Sequence, residues 1–231
     1  MGGQACVFYG AAEFSRDLDL LILADALNLA NLKAALDALD AAVIAVPPFE
    51  QRYLLKGHAV HFRQRESPGG LRIDVMSRLR GVADFGELWA RRTSIEVEGA
   101  AIDLLAIEDL VRAKKTQRDK DWPMIRRLVE RSYFQEADRP SDQLASFWLR
   151  ELRTPELLVE AATAHPALAE VESQSRPAVR LALLGRLEEV SEALAAEESE
   201  ERRKDREYWA PLKRELEELR MSRRREGTSE G

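Results

Sequence analysis

The sequence predicts an α+β fold, in which a small mixed β-sheet flanked by helices precedes an all-helical C-terminal region. Short runs with the alternation of β-strands lie between residues 17 and 105, separated by segments of helical composition. From about residue 138 onward, the apolar residues follow helical spacing, and prolines interrupt the helices. We therefore predict one domain over residues 1–136 and a helical region over residues 137–231, which ends in a charged helix and a disordered tail.

Composition and charge narrow the class of protein. The 231 residues are 45% hydrophobic, which is enough for one core and a smaller second layer. The formal net charge of −6 argues against a surface that holds nucleic acid by bulk electrostatics, although it leaves room for a local basic patch. No run approaches the ~18 apolar residues of a membrane span, and no signal peptide precedes Gly2, so we expect a cytoplasmic protein without a membrane partner. Cys6, as the one cysteine, permits no internal disulfide and is expected to be buried.

The N-terminal segment combines two glycines, a short helix and a strand. Gly2 and Gly3 begin the helix, which we predict over residues 4–12. Glycines at a helix N-terminus let a phosphate approach unpaired backbone N–H groups closely. The strand is predicted over residues 17–23.

Asp17 and Asp19 alternate with Leu18 in that strand. Because successive strand side chains point to opposite faces, the two carboxylates share a face and lie roughly 7 Å apart. Two carboxylates at that spacing form half of a site for a divalent cation. Asp74 is the candidate third ligand, because a carboxylate in the middle of the strand LRIDVMS costs stability unless it is solvated, paired or bound to a cation.

The other elements before residue 106 follow from composition and turn signals. His58 and His61 lie three residues apart on a predicted strand, so we expect them to face opposite sides as structural or surface histidines. We predict a helix over residues 31–42, with its N-cap at Asn28 or Asn31, and a hairpin of strands 53–64 and 71–77 with its turn at Pro68-Gly69-Gly70. A short helix over residues 85–92 follows, and then a hairpin of strands 95–97 and 102–105 with its turn at Gly99.

A basic segment follows the predicted sheet. Lys114, Arg118 and Asp121 are spaced so that a continuous helix would carry them on one face. Pro123 predicts the first turn of a further helix, which would leave the three residues near a helix junction. The alternative interpretation is an exposed, salt-bridged surface.

The C-terminal third is predicted to be helical, with a charged tail. Tyr208, Trp209, Leu212, Leu216 and Leu219 give that tail a narrow apolar stripe, which would dock on the protein's own core or on a partner. The predicted helices cover residues 141–153, 155–164 and 176–196. The charged tail covers residues 197–225, and the end predicted to be disordered covers residues 226–231.

Together these parts suit a two-metal site for nucleotidyl transfer. Metal ions about 3.5–4 Å apart stabilise the entering and leaving oxygens of an in-line displacement. Asp17, Asp19 and Asp74 would hold two Mg²⁺ ions, with Mn²⁺ as an alternative metal. Ser15 would offer its hydroxyl to a phosphate.

The same residues resemble the nucleotidyltransferases of the DNA polymerase β superfamily. The family motif is a Gly-Gly or Gly-Ser turn, a short helix, Asp-x-Asp, and a third Asp on a later strand. Within it, the chain looks most like the prokaryotic minimal nucleotidyltransferases that include the abortive-infection-type toxins, over roughly residues 2–130. Their GGxAxxxYG…(S/T)xDxD segment is matched by Gly3, Ala5, Tyr9, Gly10, Ser15, Asp17 and Asp19.

The resemblance also implies a role for the basic segment, in which Lys114 or Lys115, Arg118 and Asp121 resemble a Lys, Arg and Asp that the family carries on a helix after the sheet. Lys114 and Arg118 would neutralise the triphosphate, and Asp121 would orient one of them. In that family an apolar strand leads into the glycine turn, whereas only Met1 precedes Gly2 here. Either the chain lacks that strand, or its start is assigned too late, or the sheet is completed differently.

The expected function is therefore a metal-dependent nucleotidyltransferase. It would move a nucleoside monophosphate from an NTP to a hydroxyl of an RNA, a protein or a small molecule, with the toxin of a toxin-antitoxin pair as one form. The alternative is a catalytically inactive protein of the same fold, which binds a protein partner or itself through residues 197–225.

Overall fold

The computed structural model describes residues 1–65 and 69–229 and confirms the α+β class. A mixed four-stranded sheet with helices forms the N-terminal part, and the C-terminal part is all helical. The strands are β1 Asp17–Leu21, β2 Ala41–Val43, β3 Val60–Gln64, β4 Arg72–Met76, β5 Thr93–Val97 and β6 Ala100–Leu104. The helices are α1 Gly2–Phe8, α2 Ala26–Ala38, α3 Gln51–Lys56, α4 Phe85–Ala90, α5 Ile107–Ala113, α6 Asp121–Glu136, α7 Asp142–Glu151, α8 Pro155–Ala164, α9 Pro166–Ser173, α10 Pro177–Leu183 and α11 Leu187–Ser229.

The four-stranded sheet has the order β1-β4-β3-β2. Strands β1 and β4 are parallel, whereas β4, β3 and β2 pair in antiparallel fashion. A separate two-stranded sheet joins β5 to β6. Its turn at Glu98 and Gly99 has positive φ at both residues, as tight hairpin turns require, which confirms the predicted hairpin.

One face of the four-stranded sheet is apolar and builds a core. Leu18 lies opposite Ile73 across the β1–β4 pair, and Phe62 lies opposite Ile73 across the β3–β4 pair. Helices α2 and α3 contribute Leu36 and Leu54 to the same buried cluster. The polar side chains of β1 and β4 therefore lie on the opposite face, as strand alternation predicts.

The strand predicted over residues 53–64 is half wrong. Its first part forms α3, which ends at Gly57 with φ +100, a left-handed conformation that favours glycine. Only Val60–Gln64 is extended, as β3. The predicted turn after β3 lies partly at residues 66–68, outside the described residues.

Helix α2 begins earlier than predicted. Its N-cap is Asp25, whose carboxylate accepts a hydrogen bond from the Asn28 N–H at 2.7 Å. Asn28 and Asn31 therefore lie inside the helix, so the predicted N-caps were wrong. A carboxylate is as good a cap as an amide, which made the exact start hard to choose from the sequence.

Prolines begin three of the C-terminal helices. Pro155, Pro166 and Pro177 each stand in the first turn, where a missing backbone N–H costs nothing. The single helix predicted over residues 176–196 is wrong, because the chain leaves the helical conformation at Gly185, with φ +66, between α10 and α11. The tail over residues 226–231 was predicted to be disordered, but the backbone of α11 is helical to Ser229. Residues 230–231 lie outside the described residues.

The chain forms two compact units. The sheet unit contains residues Met1–Phe8, Ala12–Ala113 and Glu207–Gly231, and the helical unit contains Tyr9–Ala11 and Lys114–Arg206. Helix α11 therefore supplies its first part to the helical unit and its second part to the sheet unit. The predicted domain boundary after residue 136 stays a prediction.

The second part of α11 packs within the sheet unit. The buried His58 ring lies 2.9 Å from Glu215, through Nε2 and Oε2, and Lys56 pairs with the other oxygen of that carboxylate at 2.5 Å. Leu212 is buried, and it and Tyr208 lie close to Gly57. The apolar stripe thus docks on the protein's own core, one of the two outcomes that the sequence left open.

No helix formed by residues 1–65 or 69–229 has the length and apolar character needed to span a bilayer. Cys6 is buried, as predicted.

Candidate functional site

The polar face of the four-stranded sheet carries the three predicted aspartates. The parallel register of β1 and β4 sets Asp19 directly opposite Asp74. Asp17 lies opposite Arg72 in the same register, two residues earlier on each strand. Neighbouring strands are about 4.8 Å apart, so the strand pairing alone brings these residues into one patch.

The third strand extends that patch with a histidine. Across the antiparallel β3–β4 pair, His61 lies opposite Asp74 and Arg63 lies opposite Arg72. Because opposed residues point to the same side of a sheet, the polar side chains form two rows. The rows are His61, Asp74, Asp19 and Arg63, Arg72, Asp17, and we call the surface that they form the carboxylate face.

Asp74 is bonded to two other members of the carboxylate face. Arg72 grips it in a forked arrangement, with Nε donating to Oδ1 at 2.9 Å and Nη2 donating to Oδ2 at 3.1 Å. His61 Nδ1 lies 2.8 Å from Oδ1. An ionised carboxylate only accepts hydrogen bonds, so we assign the proton in that contact to Nδ1 of His61.

These partners decide the charge of Asp74. Burial on its own would raise the pKa of this carboxyl, but hydrogen bonds from His61 and Arg72 outweigh burial and hold the pKa below its ordinary value. Asp74 is therefore ionised at neutral pH and paired within the protein. Pairing was one of the three ways in which the sequence analysis allowed a mid-strand carboxylate to be stabilised.

The glycine pair supports Asp19. The Gly3 N–H donates to Asp19 Oδ2 at 3.1 Å, and a Cβ atom on Gly2 would lie 2.0 Å from the same oxygen. Only a residue without a side chain fits at Gly2, which also has φ +67. The glycines and the Asp-x-Asp strand are thus neighbours in space, although the Gly3 N–H predicted to meet a phosphate here binds a carboxylate.

Ser15 lies beside the same glycines. A Cβ atom on Gly3 would come within 2.4 Å of Ser15 Oγ, so the two residues are in close contact. The hydroxyl donates to the Asp17 carbonyl at 3.1 Å, which holds the start of β1. Gly2, Gly3, Ser15, Asp17 and Asp19 therefore form one corner of the sheet unit.

The carboxylate face offers the type of ligand that a hard divalent cation prefers. The observed positions of its side chains, however, do not form a cation site. Carboxylate oxygens are the ligands that Mg²⁺ prefers. Within residues 1–65 and 69–229, however, no three His, Cys, Asp or Glu side chains lie close enough together to hold a metal ion. Both oxygens of Asp74 accept from Arg72, and Asp19 Oδ2 accepts from Gly3, so protein donors take positions that a cation would need.

The basic segment forms a cluster at a helix junction in the helical unit. Helix α5 ends before Lys114 and α6 begins at Asp121, so the continuous helix is absent and the junction interpretation holds. The buried Asp121 carboxylate accepts from Lys114 Nζ at 3.3 Å and from Arg118 Nε at 2.8 Å. It therefore orients both cations.

Thr116 completes that cluster. Its hydroxyl donates to Asp121 Oδ2 at 2.6 Å, and its own Oγ1 accepts from the Arg118 N–H at 3.1 Å. Burial would raise the pKa of Asp121, but the charge of Lys114, the hydrogen bond from Thr116 and the charge of Arg118 together lower it. The alternative of an exposed salt-bridged surface is wrong for Lys114 and Asp121, which are both buried, although Arg118 is exposed.

Sequence reasoning missed the contacts that Arg72 and His61 make on the carboxylate face. Strand alternation places Arg72 and Asp74 on one face, because they lie two residues apart. It does not predict that the two side chains form a forked pair. His61 was predicted as a structural or surface residue, whereas it contacts Asp74 directly. Only the register of β3 against β4 reveals that contact, and register depends on a turn whose length the sequence leaves open.

Comparison of the chain with family models, with curated proteins and with solved structures gave no match.

Proposed function

We propose that this chain is a nucleotidyltransferase of the DNA polymerase β type. It would transfer a nucleoside monophosphate from an NTP to a hydroxyl group of an RNA, a protein or a small molecule. The acceptor would attack the α-phosphorus, and pyrophosphate would leave. Since NTPs are cytoplasmic metabolites, the proposed reaction belongs to the cytoplasm.

One observation carries the proposal. The parallel pairing of β1 with β4 puts Asp17, Asp19 and Asp74 on one sheet face, with the Gly2-Gly3 backbone against Asp19. Three carboxylates next to a glycine turn are the parts that nucleotidyl transfer requires, and a solvated surface pair needs neither the glycines nor the third residue. The geometry therefore supports this activity better than it supports a random acidic patch.

Two further parts of the proposal concern the metal ion and the residues that bind the nucleotide. Dependence on Mg²⁺, with Mn²⁺ as a substitute, is expected from the carboxylate chemistry. The contribution of Lys114, Arg118 and Asp121 to nucleotide binding stays a prediction. Replacing Lys114 with Met, which is similar in length but uncharged, should raise the KM for the NTP if that lysine contacts the triphosphate.

Transfer of radiolabel tests the activity directly. The full-length protein is incubated with each α-³²P-labelled NTP, Mg²⁺ and a cell extract, and label is sought in RNA, protein and small molecules. We expect transfer by the wild type and a loss of at least about 100-fold in Asp17→Asn and Asp19→Asn, because each variant removes a carboxylate that would hold the metal ions of the proposed reaction.

The matched control is Asp37→Asn. Asp37 lies on α2, away from the carboxylate face, and forms an exposed pair with Lys33. The Asp37→Asn variant should transfer label at the wild-type rate. Absence of transfer with every NTP, or equal transfer by all three variants, would reject the proposal.

A second candidate function is favoured by the pairing of Asp74. Because Arg72 and His61 already satisfy this carboxylate, the fold is complete without a cation, as a catalytically inactive binding protein would require. Such a protein would bind a partner or itself, and residues 197–225 were the predicted surface. In that case Asp17→Asn would leave complex formation unchanged, and no labelled NTP would give transfer.

The toxin form of the first proposal has a simple test. Expression of the wild type should arrest growth of the host, and expression of Asp17→Asn should not. Growth that is equal in the two cultures would remove the toxin form while leaving the transfer activity to be judged by radiolabel.

A further inference from the structure

Arg72 occupies the centre of the carboxylate face. It grips Asp74 on its own strand and lies opposite Asp17 across the β1–β4 pair. Asp19 lies opposite Asp74, one row further along. One guanidinium therefore stands among three carboxylates, in the region where a nucleotidyltransferase would need a cation.

All three aspartates stabilise the ionised form of Arg72. Its pKa is raised chiefly by the hydrogen bond to Asp74, and the charges of Asp74, Asp17 and Asp19 add to that effect against the opposing effect of burial. Arginine is always ionised and presents a planar fork that fits a carboxylate or a phosphate equally well. The same fork can therefore exchange a carboxylate partner for a phosphate partner.

We infer that Arg72 is the resident counter-ion of the carboxylate face, which competes with a divalent cation for Asp74 and leaves Asp74 when a polyphosphate ligand binds. This inference rests on the proposed function for the identity of the polyphosphate. It accounts for the mismatch between the donor chemistry, which suits a cation, and the observed arrangement, in which protein donors hold the carboxylates. Arg72 is therefore a positioning residue, because it acts through Asp74 and not on the reacting atoms.

The competition makes two predictions of opposite sign. Removing the guanidinium leaves Asp74 without its fork and raises the negative charge of the face, so a divalent cation should bind more tightly. The same change removes the group that would bind phosphate and increases repulsion, so a polyphosphate should bind more weakly. A purely structural role for Arg72 would lower both affinities together or change neither.

Arg72→Gln in the full-length protein tests both predictions. Mn²⁺ binding without nucleotide is measured by electron paramagnetic resonance, and tripolyphosphate binding is measured by calorimetry in EDTA, so that chelation by the phosphate does not interfere. We expect Kd for Mn²⁺ to fall about tenfold and Kd for tripolyphosphate to rise about tenfold, the size of one charge-assisted hydrogen-bonded pair.

Two further variants control the experiment. Arg52→Gln removes the same charge from the exposed pair of Arg52 with Glu50 and should leave both constants unchanged. Arg72→Lys keeps the charge but not the fork, so both constants should lie between those of wild type and Arg72→Gln. Circular dichroism shows whether each variant is folded.

Asp74→Asn covers the case in which Arg72→Gln fails to fold. It releases Arg72 from its carboxylate partner, so tripolyphosphate in EDTA should bind more tightly than to the wild type. The inference is overturned if Arg72→Gln leaves Mn²⁺ binding unchanged or weaker, or if neither variant changes tripolyphosphate binding in the stated direction.

Failure of this inference and failure of the proposed function are distinguishable. Shifts of opposite sign in a protein that transfers no label would keep the counter-ion role and remove the enzyme. Label transfer by the wild type, with unchanged binding constants in Arg72→Gln, would keep the enzyme and remove the counter-ion role.

Discussion

Gly2 is a residue whose replacement the local structure would resist. A Cβ atom there would overlap Asp19 Oδ2, and its φ of +67 is unfavourable for any other residue. We predict that Gly2→Ala lowers the free energy of unfolding by about 1–3 kcal/mol. It should also reduce any label transfer, because Asp19 must move. Urea unfolding and the radiolabel assay measure the two effects.

Gly86→Ala is the matched control for that prediction. Gly86 lies in α4, where an added Cβ meets no atom within 4 Å. Alanine is the better helix former, so stability should stay the same or rise by up to about 1 kcal/mol. Equal unfolding curves for Gly2→Ala and the wild type would show that the close contact with Asp19 is absent.

At the scale of elements, strand β4 shows what the sequence could predict. The alternation of LRIDVMS assigned Ile73 and Val75 to the core and Asp74 to the opposite face, and both assignments are confirmed. Such patterns are local, since burial of one face forces period-two alternation. The same local information predicted the hairpin around Gly99.

Helix α3 and strand β3 show where local information fails. Residues 53–56 are apolar and aromatic enough for a strand, but they form a helix because Gly57 ends it with a left-handed turn and Tyr53 and Leu54 enter the core. The pairing of His61 with Asp74 depends on register between strands. Neither the tertiary burial nor the register is encoded in a pattern that a short window can detect.

The junction between α5 and α6 contains the second group of predicted residues, and it carries a prediction about pH. Asp121 is buried and ionised, and the groups that face it are Lys114, Arg118 and the Thr116 hydroxyl. Asp121→Asn leaves Lys114 without its anionic partner. We therefore expect a loss of about 2–4 kcal/mol of stability at pH 7.

The sign of the pH effect follows from the lowered pKa of Asp121. A carboxyl whose folded pKa lies below its unfolded value of about 4 stabilises the protein above that value, and its contribution disappears as pH falls through the folded pKa. The difference between wild type and Asp121→Asn should thus be constant from about pH 5 to 8 and shrink below about pH 4. Chemical denaturation at pH 7 and pH 3 measures it.

Asp119→Asn controls for the general loss of a carboxylate. Asp119 pairs with Arg202 on the surface and is almost fully exposed. It should change stability by no more than about 0.5 kcal/mol at either pH. If Asp121→Asn were as stable as Asp119→Asn at pH 7, the buried cluster would have no role in folding.

At the scale of the whole molecule, helix α11 contributes to two units. Its first part belongs to the helical unit, where Asp205 accepts from the Gln117 N–H at 2.9 Å, and its second part belongs to the sheet unit. The sequence predicted the charged helix and its apolar stripe but not where the stripe docks, because a stripe of five residues fits any apolar surface. Loss of partner binding after deletion of residues 197–231 would therefore not identify an interface, since that deletion removes part of the protein's own core.

Leu212→Ala tests how strongly the second part of α11 stabilises the sheet unit. Leu212 is 9% exposed and lies close to Gly57, and its truncation should cost about 2–3 kcal/mol. Hydrogen exchange should then accelerate in α3 and β3, because the neighbouring His58–Glu215 contact opens with the helix. Met221→Ala is the control, as Met221 is 52% exposed and its truncation should cost less than about 0.5 kcal/mol. Unchanged exchange in α3 and β3 of Leu212→Ala would mean that the sheet unit folds without the end of α11, and residues 207–229 would then be available to a partner.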